Sequence, residues 1–222
     1  MVFLEPLWLT IKLSFVTTSL LICVGIPFSY WLSATGIRIK PAIEAVVALP
    51  IVLPPTVLGF YLLIAIGSAG PVGRIYESIF DAQLAFSFSG LVIGSFFYSF
   101  PFAVQPMQSA FESVDRRLIE ASWTMGKSKL ITFVRIILPL SKKGLITGGV
   151  LSFAHTMGEF GVVLMLGGNI PGETRVASIA IYDEVQALNY SGANIFALIL
   201  LFISFSVLLA VFLYNRKAVR TV

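Results

Sequence analysis

His155 and Glu159 lie four residues apart in a stretch whose other residues are almost all apolar or small. At helical spacing they fall on one face, where they could share a proton or form an ion pair. Ionisable groups among apolar helices are costly, which makes the two candidates for function. The structural alternative is that each satisfies a neighbouring helix or the backbone, as buried polar groups commonly do. His155 could also serve as a base, but it would then need a serine nucleophile within reach, and no nucleophile motif stands out. His155 is the only histidine and Cys23 the only cysteine. A zinc site of the usual ligand sets is therefore not expected, and no internal disulfide can form. Gly126-Lys127-Ser128 looks like the end of a phosphate-binding loop. Such a loop needs glycine where Ala121 stands and a strand before it, so ATP binding by this chain is not expected.

The elements that must position these residues are set by composition. Of 222 residues, 57% are hydrophobic and only 12% charged, with 19 phenylalanines and a mean hydropathy of +0.94. Soluble domains carry about 25% charged residues. An all-α membrane protein is expected, because a spanning helix needs about 20 mostly apolar residues and five segments qualify: about 8–33, 42–66, 82–111, 143–166 and 194–214. The first is read as a retained span, since no basic region precedes it. Most of the fifteen basic residues fall in three regions: Arg38 and Lys40; the run from Arg116 to Lys143; and Arg216, Lys217 and Arg220. Lys12, Arg74 and Arg175 are left for the other side. Basic loops stay cytoplasmic, so the N-terminus is expected outside and the C-terminus inside. The outer loops hold Glu77, Asp81, Glu173, Asp183 and Glu184. The whole chain, 1–222, reads as a single transmembrane domain. Its largest cytoplasmic loop is about 112–142 and its main external loop about 167–192, where "TRVASIAIYDEVQAL" reads as a short amphipathic helix at the outer surface.

The cytoplasmic loop holds a second set of candidates. Asp115 can cap a helix start and Gly126 can end it in the left-handed region. Leu118, Ser122 and Met125 would share one face, with Ile119 and Trp123 on an adjacent one. A helix of about 11 residues is only ~16 Å long. It cannot span, so it lies along the membrane surface or enters a partner's groove. Glu120-Ala121-Ser122, three residues, Gly126, nine residues, then Ile136-Ile137-Leu138-Pro139 resembles the EAA loop of ABC importer permeases. Ser122 departs from the pattern, where a second alanine is usual. The resemblance implies that Glu120, Ala121, Ser122, Trp123 and Gly126 form a coupling helix docking in a cleft of an ATPase subunit.

The resemblance extends over roughly residues 49–190. "LPIVLPPTVLGFYLL" and "HTMGEFGVVLMLGGNIPGETRVASIAIYDEVQALNY", with the loop, look like the permease subunits of molybdate ABC transporters. This implies a type I ABC importer permease fold and a homodimer in the cell (inner) membrane. It also implies two ATPase subunits that bind the ATP and Mg2+, and an external molybdate-binding protein. The chain itself would be no enzyme and would hold no cofactor. Tungstate and sulfate or thiosulfate, dianions of the same shape, are the alternative substrates; an intramembrane protease is the remote alternative. The related sulfate permeases are typically longer, with an additional span.

Within that frame Pro54, Pro55 and Thr56 lie ~18 Å into the second span, near its midplane. Proline there removes backbone donors and bends the helix, so these residues could shape a gate, or else a merely kinked packing helix. His155 and Glu159 could position the inner lining of the dimer, but the favoured reading is that both satisfy neighbouring helices or backbone. An ionised Glu159 would repel a dianion, so direct substrate contact by it is not expected. Glu173, Asp183 and Glu184 could contact the binding protein, or be ordinary solvated charges. Gly90-x3-Gly94 and Gly144-x3-Gly148 permit close helix packing.

Overall fold

A computed structural model describes residues 4–217 of the chain, with side chains to residue 213. Arg220 lies outside the described residues, as do the side chains of Arg216 and Lys217. The described residues are helical throughout, with no strand among them.

In chain order the elements are α1 (Glu5–Ala34), α2 (Lys40–Val52), α3 (Pro55–Ile66), α4 (Pro71–Phe80), α5 (Phe88–Glu112), α6 (Arg116–Thr124) and α7 (Lys129–Thr132). A π-helical turn, Phe133–Ile137, leads into α8 (Leu138–Leu140). The remainder are α9 (Lys142–Met157), α10 (Gly161–Gly167), α11 (Ala177–Gln186) and α12 (Tyr190–Lys217). Three helices cross a membrane unaided by length and hydropathy: Glu5–Ala34, Phe88–Glu112 and Tyr190–Leu213. The other two expected spans are bent pairs, α2 with α3 at 112° and α9 with α10 at 62°.

The bends are sharper than the expected kinks, and the backbone explains the larger one. A residue before proline is pushed out of the α region. Leu53 precedes Pro54 and takes ψ 138°; Pro54 precedes Pro55 and takes ψ 134°. Two successive extended residues turn the chain instead of kinking it. In the second pair the helix stops at Met157 and restarts at Gly161, with Phe160 at φ −126° between.

The core is built by α1, α5 and α9 packed on one another, with α10 against α3 and α5 and α12 against α9 and α11. Leu21, Ala103, Met107 and Ile137 are buried together at one end, and Leu13, Leu91, Val163 and Ile179 at the other. Small residues set the spacing. A Cβ on Gly144 would strike the Ala110 Cβ, and one on Gly148 would stand 2.6 Å from the Ala103 carbonyl oxygen. A Cβ on Gly94 would strike Leu166. A Cβ on Gly90 would strike the Leu84 carbonyl oxygen rather than another span. Helix α12 is buried over only 6% of its apolar window, which leaves a broad face for lipid or a partner.

Three elements differ from expectation. The third span begins at Phe88, capped by the Ser87 hydroxyl accepting from the Gly90 N–H. Helix α4 was not foreseen; it starts at Pro71, behind a turn in which the Gly70 N–H donates to the Gly67 carbonyl. The helix of the external loop, α11, is tucked inward, with Ala177, Ile179 and Ala180 buried against α1 and α12.

Candidate functional site

The two breaks in the helices meet. A Cβ on Gly161 would lie 2.7 Å from the Pro55 Cβ, so the elbow of α9–α10 touches the elbow of α2–α3. Beside this contact is a cavity of about 570 Å³ lined by Pro55, Thr56, Tyr98, His155, Glu159 and neighbouring residues of α9 and α10. Four gate candidates from distant parts of the sequence thus line one cavity. Pro54 stands at the elbow as the residue preceding α3.

His155 and Glu159 do not share a helix face or an ion pair. The helix ends at Met157, before Glu159 is reached, so the four-residue spacing no longer sets their relation. Instead the His155 Nδ1 is 2.9 Å from the Ser99 Oγ, which is also 2.8 Å from the Thr156 Oγ1. The imidazole stacks on Phe102 at 3.9 Å between centroids and meets Tyr98 at 4.7 Å. A serine is therefore within reach of the histidine, but Ser99 is fully buried and does not line the cavity. Its oxygen is shared with Thr156, so the cluster reads as a satisfied polar contact between α5 and α9.

Glu159 is the reverse case. It is 3% exposed, and neither carboxylate oxygen meets a hydrogen-bond partner among the described residues. The Ser95 hydroxyl is likewise buried without a hydrogen-bond partner among the described residues. The backbone is anchored, since the Ser178 hydroxyl donates to the Glu159 carbonyl at 2.6 Å. A buried polar group left this open costs free energy unless something completes it.

The loop between α5 and α9 forms the second site. The Asp115 carboxylate accepts from the Arg117 N–H at 2.9 Å and starts α6. The helix runs nine residues to Thr124, and Gly126 at φ +75° turns the chain back. Glu120 and Ala121 are exposed, as are Leu118, Trp123 and Met125. Ser122 is not on that surface. It is 1% exposed, and its hydroxyl meets the Thr132 hydroxyl of α7 at 2.9 Å. The expected face of Leu118, Ser122 and Met125 is split, because Ser122 packs inward on α7 while Leu118 and Met125 stay exposed. Glu120 and Trp123 also line a cavity of about 480 Å³, with Tyr30, Lys40, Glu112 and Arg116.

On the external loop the three acidic candidates part company. Asp183 takes an ion pair from Arg175 at 3.0 Å and two hydrogen bonds from the Asn169 amide. Glu184 accepts from Asn189 at 2.6 Å. Both hold the loop to α11, whereas Glu173 is exposed at its lip. Thr174, fully buried, closes the turn by donating to the Gly167 carbonyl at 2.6 Å. Tyr98, Ser99 and Phe102, missed from the sequence, sit in a helix whose pattern says only that it is apolar. Their partners are about 55 residues away, so no local signal marks them.

A family profile described as "Binding-protein-dependent transport system inner membrane component" matches residues 25–220. The chain is 48% identical over 213 residues to the molybdenum transport system permease protein ModB of Azotobacter vinelandii, covering 96% of this chain and 94% of that protein. It is 33% identical over 206 residues to a probable sulfate transport system permease protein of Prototheca wickerhamii, covering 93% and 79%. In structure it resembles a chain of a bacterial alginate ABC transporter solved with an alginate pentasaccharide-bound periplasmic protein. The TM-score is 0.75 at 16% identity, covering 97% of this chain and 78% of that one. The all-helical fold is thus that of a type I ABC importer permease, and the chain belongs to the family of binding-protein-dependent transport system inner membrane components.

Proposed function

We propose that the chain forms, as a homodimer, the membrane pathway of an ATP-driven importer of molybdate. The observation that carries the substrate is the 48% identity, over nearly the full length of both chains, to a molybdenum transport permease. On this reading α6 docks in a cleft of an ATPase subunit, which binds the ATP and Mg2+. Its exposed Glu120, Ala121, Trp123 and the turn at Gly126 meet that subunit, while Ser122 fastens the helix from behind. The basic loop around α6 lies on the cytoplasmic side and the 167–192 loop outside, where Glu173 is the acidic residue best placed to meet a binding protein. The cavity at Pro55, Thr56, His155 and Glu159 lies at the gate. Two broken helices support that placement, because irregular backbone at membrane depth is tolerated where it is buried in protein or lines a water-filled cavity. Closing the ATPase pair would carry both copies of α6 and change the relation of the elbows, which is the differential contact a two-state account requires.

A sulfate importer is the second reading, favoured by the 33% identity to a sulfate permease. Uptake of labelled molybdate into proteoliposomes holding the chain with its ATPase and binding protein separates the two. ATP-dependent uptake that resists excess sulfate supports molybdate, with tungstate as an expected competitor. Uptake abolished by sulfate moves the assignment to sulfate. No ATP-dependent molybdate uptake by an intact complex refutes the molybdate reading and leaves the architecture standing.

A further inference from the structure

Helix α2 is held unlike any of the core helices. Of its thirteen residues only Val47 is buried, and it packs principally on α5. Along its side runs an apolar groove of about 600 Å³, lined by Phe28, Ile43, Val46, Pro50, Phe97 and Phe100 among others. Apolar packing therefore leaves the helix room to tilt. A polar cluster fixes its first turns instead. The Lys40 ammonium lies 3.0 Å from a Glu112 carboxylate oxygen and 3.8 Å from Glu44. The Gln108 amide donates to Glu44 at 2.6 Å and to Glu112 at 3.0 Å. Two residues of α2 are thus tied to two at the end of α5.

The two ends of α2 face the two candidate sites. Lys40 and Glu112 line the cavity shared with Glu120 and Trp123 of α6. At the other end, Leu53 and Pro54 form the 112° elbow, and Pro55 beyond it lines the cavity at Glu159. Thirteen residues span ~20 Å, so a tilt of about 10° at the tied end moves the elbow by about 3.5 Å. The Pro55–Gly161 contact is too close to admit a Cβ, so a shift of that size would change it.

We propose that the Lys40–Glu44–Gln108–Glu112 cluster is a latch that positions α2, so that the elbow at Pro54 and Pro55 follows the coupling helix. Lys40 and Glu112 are positioning residues; neither touches the transported ion. The proposal rests on the importer reading above. Its chemistry is that of a networked ion pair partly withdrawn from water, which holds geometry better than an isolated surface pair.

The test uses the complete transporter in proteoliposomes, first unsubstituted, then with Lys40→Gln, Glu112→Gln and the exchange Lys40→Glu/Glu112→Lys. Each single variant is expected to keep its ATPase subunit but to lose about fivefold or more in uptake per ATP hydrolysed, the lower range of ordinary coupling energies. The exchange keeps an opposite-charge pair between positions 40 and 112 but sets a second carboxylate beside Glu44, so it is expected to restore only part of the loss. Spin labels at Val46→Cys and Phe97→Cys, in a Cys23→Ser background, should report a longer or broader separation in either single variant. Single variants that couple normally, or an unchanged separation, would each overturn the latch. If the unsubstituted complex shows no ATP-dependent uptake, the importer reading falls, and the spin-label separation alone decides the latch.

Discussion

Gly126 offers the cleanest test of the coupling loop. Its φ is +75°, a region where a Cβ meets its own backbone and costs roughly 1–2 kcal/mol. No heavy atom lies within 4 Å of the position a Cβ would take. Substitution there therefore meets no neighbour, and any effect is backbone conformation alone. The turn is closed by the Gly126 N–H donating to the Trp123 carbonyl at 2.8 Å and the Lys127 N–H to the Ser122 carbonyl at 3.1 Å. Gly126→Ala should weaken docking of the ATPase subunit by about 5- to 30-fold, if the free loop relaxes and must be returned to the turn on docking. Gly126→Asn should lose less, because asparagine tolerates the left-handed region, and Gly126→Val should lose more. Gly126→Pro should abolish docking, since proline fixes φ near −65° and removes the donor. Titrating ATPase subunit against detergent-solubilised variants measures the series. An order that followed side-chain size, or equal affinities for the alanine and asparagine variants, would refute the backbone argument.

Gly144→Ala should destabilise by about 1–3 kcal/mol, because ordinary contact with Ala110 needs α9 and α5 more than an ångström further apart. Thermal unfolding in detergent measures it, with Gly149→Ala, which meets only the Ile22 side chain at 3.2 Å, as the mild control. Ser122→Ala should cost no more than ~1 kcal/mol, since Thr132 keeps the Ser128 carbonyl as acceptor at 3.0 Å. Thr132→Val should cost more, because it leaves the buried Ser122 hydroxyl without a partner; chemical denaturation compares the two. Asp183→Ala should cost ~2 kcal/mol and speed proteolysis of the external loop, by stranding Arg175 and the Asn169 amide. Glu173→Ala should leave unfolding unchanged and slow association of the binding protein, as rim charges do.

The sequence by itself determined the class and much of the plan. Long apolar runs can be stable only in lipid or in a large core, and 12% charge leaves lipid. The cap at Asp115, the reversal at Gly126 and the motif between them were legible because capping and turning are local, settled within a few residues. The consecutive prolines told where the second span breaks, though not that it turns through 112°. Tertiary structure decided whatever depends on which helices touch. Spacing placed His155 and Glu159 on one face, but the helix ends at Met157, so His155 pairs with Ser99 from α5 and Glu159 faces the cavity alone. Spacing also put Ser122 with Leu118 and Met125, yet packing of α6 on α7 turned Ser122 inward. Asp183 reads as a surface charge until Arg175 and Asn169 fold onto it. Periodicity says which residues share a face only while the helix continues. What that face meets is fixed by the small residues that let α5 and α9 approach, and by two broken helices whose ends touch at Pro55 and Gly161.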